Sequence, residues 1–224
     1  MKRARYIVIE GTEGVGKTTQ VKKLADYLTD KGYKVLQTKE PGTPHIEITM
    51  QMRELMLSNK YDKSLTKTSR ELLSQAIRSI HLEHLVFPAL NDYDFIVQDR
   101  GILSGLAYGE ACGNNIDNLI DLNRMTVMFS KGLPDHINDI YNLYDNTIFL
   151  HGDLSSNLDR AKNCKQEFEE GDAMESQNSE FYQRVERNFK QEGQQFYGFD
   201  SVAVDNKNID EVFDIILDKL NIKQ

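Results

Sequence analysis

The residues best suited to chemistry lie close together near the start of the chain. Gly11, Thr12, Glu13, Gly14, Val15, Gly16, Lys17 and Thr18 fit the spacing G-x-x-x-x-G-K-[ST]. Glycines at 11, 14 and 16 let the backbone curl until successive N–H groups point at one anion. Lys17 adds a charge for the outer phosphates and Thr18 a hydroxyl for Mg2+. The helix that begins here, with Thr19 in its first turn, supplies the partial positive charge of its N-terminus. A second pair, Asp99-Arg100, closes a later apolar run. There a carboxylate would hold Mg2+ or its waters, and a guanidinium would neutralise a phosphoryl group in transit. A surface pair capping the next helix is the alternative for Asp99-Arg100. The loop itself predicts a nucleoside triphosphate site.

Such a cradle needs a buried strand before it and a helix after it. Tyr6-Ile7-Val8-Ile9 suits the first, and Val21, Leu24, Ala25 and Leu28 share one face of the second. Further strands are expected at Val35 to Lys39, Phe95 to Gln98, Thr147 to Leu150 and Val202 to Val204, with helical stretches between them. That alternation is the pattern of a parallel sheet with helices on both faces, an α/β chain. Gly32 is placed to cap the first helix. Ile46 to Leu57 reads as helical. Thr66 to Leu90 reads as one long helix with Leu72, Leu73, Ala76, Ile77 and Ile80 inward, and Asn115 to Met128, Leu154 to Cys164, Glu180 to Glu192 and Ile209 to Leu220 complete the helices. Lys165 to Asn178 lacks apolar periodicity and reads as a mobile loop. His136 to Asn146 is a polar, tyrosine-containing segment with no assigned role, open between an oligomer contact and decoration.

Other signals mainly exclude. Lys and Arg number 27 against 35 Asp and Glu, a net charge of −8, which argues against nucleic acid or an anionic membrane held by bulk charge. Cys112 and Cys164 form no CxxC and read as reduced cytosolic thiols. The basic start, Lys2, Arg3 and Arg5, precedes an apolar run broken at Glu10, so no signal peptide or membrane span is expected. The expected setting is cytoplasmic, or a host's cytoplasm for a viral chain. A GTP-dependent switch would need Asn-Lys-x-Asp, but Asn206-Lys207-Asn208 is followed by Ile209. The Leu-Ser-Gly-Gly of a transport ATPase is absent. His81 and His84 do not form His-Glu-x-x-His and are expected on a helix surface.

Four stretches resemble the thymidylate kinases, a family of nucleoside monophosphate kinases. They are Ile7 to Thr19; Glu40-Pro41-Gly42-Thr43-Pro44 with Arg53; Asp99-Arg100 with Ser104, Ala107 and Tyr108; and Leu158-Asp159-Arg160 with Asp172 and Glu175. The resemblance implies a three-layer P-loop kinase fold with a five-stranded parallel sheet, one domain over 1–224 and a mobile lid at about 162–178. It implies that Gly11 to Thr19 hold ATP, that Thr18 and Asp99 serve Mg2+, and that Glu13 lies near the acceptor sugar and the metal. Arg53 and Arg100 would clamp the acceptor monophosphate, and Pro41, Ser74, Ser104 and Gly105 would line its site. Arg78 would reach the base edge and Tyr108 would sit against a 2′-deoxy sugar. A homodimer is implied in the same way.

Phosphoryl transfer between nucleotides needs alignment and charge neutralisation more than covalent help, which fits the lack of a catalytic histidine. Four departures qualify the resemblance. Lys39 stands in place of an arginine, and Gly42 in place of two glycines. Ser74 occupies the position of a phenylalanine that stacks on thymine. Ala173 takes the place of a lid arginine, leaving Arg160, Lys162 and Lys165 as candidates, Arg160 first. Residues 136–146 are inserted. The expected activity is ATP-dependent phosphorylation of dTMP. The alternatives are a kinase of relaxed or modified-base specificity and a nucleotide-binding regulator with weak transfer.

Overall fold

A computed structural model describes residues 3–162, 168, 172–174 and 177–222. Five parallel strands form one sheet in the order β2-β3-β1-β4-β5. They are β1 (Arg5–Gly11), β2 (Val35–Lys39), β3 (Phe95–Asp99), β4 (Asn146–His151) and β5 (Phe199–Ala203). The expected positions hold, except that β5 begins three residues earlier, at Phe199, and takes in Asp200 and Ser201, polar residues tolerated on an edge. β1 is central, and its two faces follow the two-residue period of a strand. Tyr6 and Val8 enter one core and Ile7 and Ile9 the other. All four are fully buried, each such side chain contributing about 1.5–3 kcal/mol.

The second of those cores is closed by α1 (Lys17–Asp30) and α9 (Ile209–Lys219), through Val21, Leu24, Leu28, Phe213 and Ile216. Gly32 follows the end of α1 with φ +86 and its N–H donates to Thr29 O at 2.8 Å, as the capping reading requires. On the opposite face lie α2 (Glu47–Leu57), α3 (Lys67–His81), α4 (Phe87–Asp92), α5 (Ile102–Ala111) and α6 (Ile116–Phe129). The chain then continues through α7 (Leu154–Lys162) and α8 (Ser179–Gly193).

The long helix expected over 66–90 is divided by a π turn at Leu82–Val86. Pro88 has no N–H to donate, and its ring crowds the preceding turn, so the helix opens there. The inner face of α3 also differs from expectation. Leu72 is 54% exposed, whereas Gln75, Ile77, Arg78 and His81 are buried. Its covered side looks into a polar cleft, so periodicity of apolar residues misplaces the face. Segment 136–146 is no decoration. Ile137, Ile140, Leu143 and Tyr144 are buried, Tyr144 packs edge-on against Tyr6 at 4.9 Å, and its hydroxyl accepts from Ile102 N–H at 3.0 Å.

Most of the expected lid, with Cys164, Lys165 and Glu175, lies outside the described residues. Among its described residues, Ala173 N–H donates to Leu57 O at 2.8 Å, and Asp172 bridges to Ser58. Asp172 to Met174 therefore sit against the end of α2.

Candidate functional site

The C-terminal ends of β1 and β3 meet where the first crossover leaves the sheet, and ligands of open α/β folds collect at such places. The loop after β1 turns through Gly14, at φ +69. A Cβ there would lie 1.8 Å from the Asn157 carbonyl on α7, so only glycine fits. Val15 buries its side chain in the core beside Ile9, leaving its backbone to the loop. Thr12 is buried, while Gly16, Thr18 and Thr19 face outward. Lys17 is buried, and its ammonium donates to Thr12 O at 2.6 Å. Burial, then the Arg100 charge, push Lys17 down to about 8 against the opposing pull of Glu13 and Asp99.

Ile9 pairs with Asp99, which brings the acid level with the loop. The Thr18 hydroxyl donates to Asp99 Oδ2 at 2.5 Å, whereas Asp99 Oδ1 is buried with no hydrogen-bond partner among the described residues. An orphaned carboxylate oxygen next to a threonine hydroxyl fits a hard cation that takes its remaining ligands from water and phosphate.

Arg100 adopts a left-handed backbone, φ 62, which costs a side-chain-bearing residue roughly 1–2 kcal/mol. Its N–H donates to Ile9 O at 3.0 Å and its carbonyl accepts from Gln98 Nε2 at 2.7 Å, which hold it there. The turn aims the guanidinium back over the loop. It donates to Gly11 O at 3.0 Å, Ser104 Oγ at 3.1 Å and Glu13 Oε1 at 2.5 Å, and lies 5.1 Å over the Tyr108 ring. Burial alone would push the Glu13 carboxyl up. The charges of Arg100, Lys17 and Arg53 outweigh it and hold Glu13 at about 2. Beneath them Glu10 accepts from Gly101 N–H at 2.8 Å and Ser104 N–H at 3.2 Å, and from the Ser104 hydroxyl. Burial pushes Glu10 up to about 7, with Ser104 and Arg100 opposing.

A cleft of about 330 Å3 opens beside this group. Lys17, Thr18, Asp99, Arg100 and Glu13 line one end. Pro41, Arg53, Ser74, Ser104, Gly105 and Tyr108 line the remainder, so the structure brings the expected acceptor residues into one space. Arg53 donates to Pro41 O at 2.8 Å, across the turn that Gly42 makes.

Arg78 also borders the cleft, yet its N–H groups are engaged by the protein. Nε and Nη2 hold Glu40 Oε2 at 2.9 and 2.8 Å, Nη1 holds Gln75 at 3.3 Å and Asn123, and Nη2 reaches Gly101 O at 3.5 Å. The residue expected at the base edge thus also braces Glu40 within the protein. His81, expected on a surface, is fully buried. It stands 3.1 Å from Glu40 Oε1 and 2.9 Å from Thr38 Oγ1. Burial raises Glu40, but Arg78 and then His81 outweigh it and hold the acid at about 2. Among the described residues no group of three or more His, Cys, Asp or Glu is placed to hold a metal ion.

Arg160 does not line the cleft. It is exposed on α7 and donates to Asn157, one turn back. Asp172 and Met174 line the same cleft. Sequence reasoning gave no role to Glu10, Glu40, Gln98, Asn123 or His81. Most of their partners lie far away in the chain, and only Glu10 and Glu40 fell within stretches that carry the resemblance.

Comparison with known proteins agrees with this geometry. The family description "Thymidylate kinase" matches residues 9–214. A thymidylate kinase of Caldicellulosiruptor saccharolyticus is 33% identical over 87% of this chain and 85% of its own length. One from Chlorobaculum parvum is 38% identical over 80% and 78% respectively. The solved structure of a thymidylate kinase of Candida albicans, described as having broad substrate specificity, superposes with a TM-score of 0.69. That comparison has 26% identity and covers 98% of this chain and 92% of that one. A structure from Ehrlichia chaffeensis, 22% identical with a TM-score of 0.68, shares the fold. This chain, with its phosphate loop, its Asp99-Arg100 pair and its acceptor cleft, belongs to the thymidylate kinase family.

Proposed function

We propose that the protein transfers the terminal phosphoryl group of ATP to the monophosphate of dTMP, releasing ADP and dTDP. The observation that carries this is the convergence of Lys17, Arg53 and Arg100 on one cleft beside the Thr18–Asp99 pair. Two anionic nucleotides set end to end repel, and these charges offset that repulsion while the walls fix an in-line approach. Lys17 and the loop N–H groups hold the donor. Arg53 and Arg100 hold the acceptor phosphate, with Arg100 exchanging its Glu13 contact for the substrate. Tyr108 lies against the sugar. Mg2+, held through Thr18 and Asp99, supplies charge neutralisation on the donor phosphates. The acceptor is already ionised at neutral pH, so no general base is needed.

In this reading the chain acts as one kinase domain, closed during turnover by a lid at about 162–178, with Arg160 on α7 just before it as the first candidate to replace the missing lid arginine. It acts in the cytoplasm and as a homodimer, which light scattering would check. A coupled assay of ADP release with each common deoxynucleoside monophosphate tests the activity, and silence with all of them removes it. A second reading, relaxed acceptor choice, is favoured by Ser74 on the cleft wall, and by the breadth described for the Candida albicans relative. Losing a base–aromatic stack forfeits roughly 1–3 kcal/mol of base binding.

A further inference from the structure

We propose that the acceptor groove continues between α3 and α5 into a polar annex, built by Glu71, Asn114 and Lys67, that receives a hydrogen-bond-donating substituent on the acceptor base. This rests on the acceptor-cleft reading above and names what the cleft selects.

Glycines set opposite α3 leave room for its polar side chains to reach across the groove. A Cβ at Gly105 would lie 3.4 Å from Arg78, one at Gly109 2.7 Å from Glu71 Oε1, and one at Gly113 2.9 Å from Lys67 Nζ. From Arg78 to Lys67 the helix rises about 16 Å, ample for a nucleobase and a substituent beyond it. Ser74, between Arg78 and Glu71, leaves the wall low there. Glu71, Lys67 and Asn114 all line the same cleft as Ser74 and Gly105.

The hydrogen-bonding inventory then points to Glu71. Arg78 has its N–H groups committed to Glu40, Gln75, Asn123 and Gly101. The next polar side chain along the helix that lines the cleft beyond Ser74 is Glu71. Its one hydrogen-bond partner among the described residues is Asn114, whose amide donates to Oε1 at 3.3 Å. A carboxylate has about four acceptor positions, so most of them remain open. Burial pushes Glu71 up to about 7, with Arg78 and Asn114 opposing, as befits a half-covered acid short of donors. A bare methyl against such a group leaves it desolvated, whereas an O–H or N–H satisfies it. The ligand class is therefore a pyrimidine deoxynucleoside monophosphate bearing a hydroxymethyl or amino group on the edge away from the sugar.

The test compares 5-hydroxymethyl-dUMP with dTMP, which differ by one hydroxyl, and adds dCMP for the amino group. In the unaltered protein kcat/KM for 5-hydroxymethyl-dUMP is expected within tenfold of dTMP or above it. In Glu71→Ala the ratio of the two is expected to fall at least tenfold, and in the isosteric Glu71→Gln to fall less. Both substrates are measured on one preparation, so partial loss of folding cancels from the ratio. An unchanged ratio in Glu71→Ala, or rejection of both donor-bearing substrates by more than a hundredfold in the unaltered protein, overturns the annex while leaving dTMP phosphorylation standing. Absence of turnover with dTMP as well removes the kinase reading, and the annex with it.

Discussion

Thr18 Oγ1 donates to Asp99 Oδ2 at 2.5 Å, and the other Asp99 oxygen is buried without a hydrogen-bond partner among the described residues. A carboxylate so placed stands ready for a cation. Asp99→Asn is expected to raise the Mg2+ concentration for half-maximal rate at least tenfold and to lower kcat, because an amide is a weaker ligand than a carboxylate. Initial rates across a Mg2+ titration check this. A variant with an unaltered Mg2+ requirement would mean that Asp99 serves the fold instead.

Lys17→Ala and Arg100→Ala are each expected to lower the transfer rate by roughly 10²–10³-fold, the scale of removing one preorganised charge-stabilising donor. Far-UV circular dichroism should remain that of the parent. Arg100→Lys is expected to recover little, since a lysine cannot reach Gly11, Ser104 and Glu13 together.

Arg78 and Glu40 give a prediction that separates stability from recognition. Both side chains are 3% exposed. Glu40→Gln leaves a buried guanidinium without its counter-charge, a change that costs about 3–5 kcal/mol. Urea unfolding of Glu40→Gln and Arg78→Met is expected to show the larger loss in the first. A loss confined to KM for the acceptor, with unchanged unfolding midpoints, would return Arg78 to the base edge.

The two glutamates of opposite shift give opposite pH windows. Glu10, raised to about 7, binds its proton more tightly folded than unfolded. Its contribution is fully present below its unfolded value near 4.5 and is lost as pH rises through 7. Glu40, held at about 2, contributes above 4.5 and loses that contribution as pH falls toward 2. Glu10→Gln should therefore gain in stability relative to the parent as pH goes from 5 to 8, measured by thermal unfolding. A difference independent of pH would show that Glu10 does not titrate there.

How much of this was legible in the sequence follows from distance along the chain. The loop at Gly11 to Thr18 is a local pattern, and β1, β3 and β4 are built on short apolar runs, so both read directly. Asp99-Arg100 was legible as a pair, though not the left-handed turn that swings Arg100 onto Glu13. The strut from Arg78 to Glu40 and on to His81 joins residues about forty positions apart. No periodicity announces such a pairing. Leu72 was misread because apolar spacing locates a core-facing side, and α3 turns its buried side toward charge. Segment 136–146 was opaque for a similar reason: its polar composition conceals that Ile137, Ile140, Leu143 and Tyr144 point inward as a group.

That last segment restricts what could be transplanted between relatives. Gly101, next to Arg100, has room for no Cβ because the Tyr144 hydroxyl would lie 2.3 Å from it. The same hydroxyl caps the first turn of α5, which carries Ser104. Excising 136–146 would thus uncork the base of the arginine's perch. The segment and the glycine form a matched set, to be exchanged together or left alone.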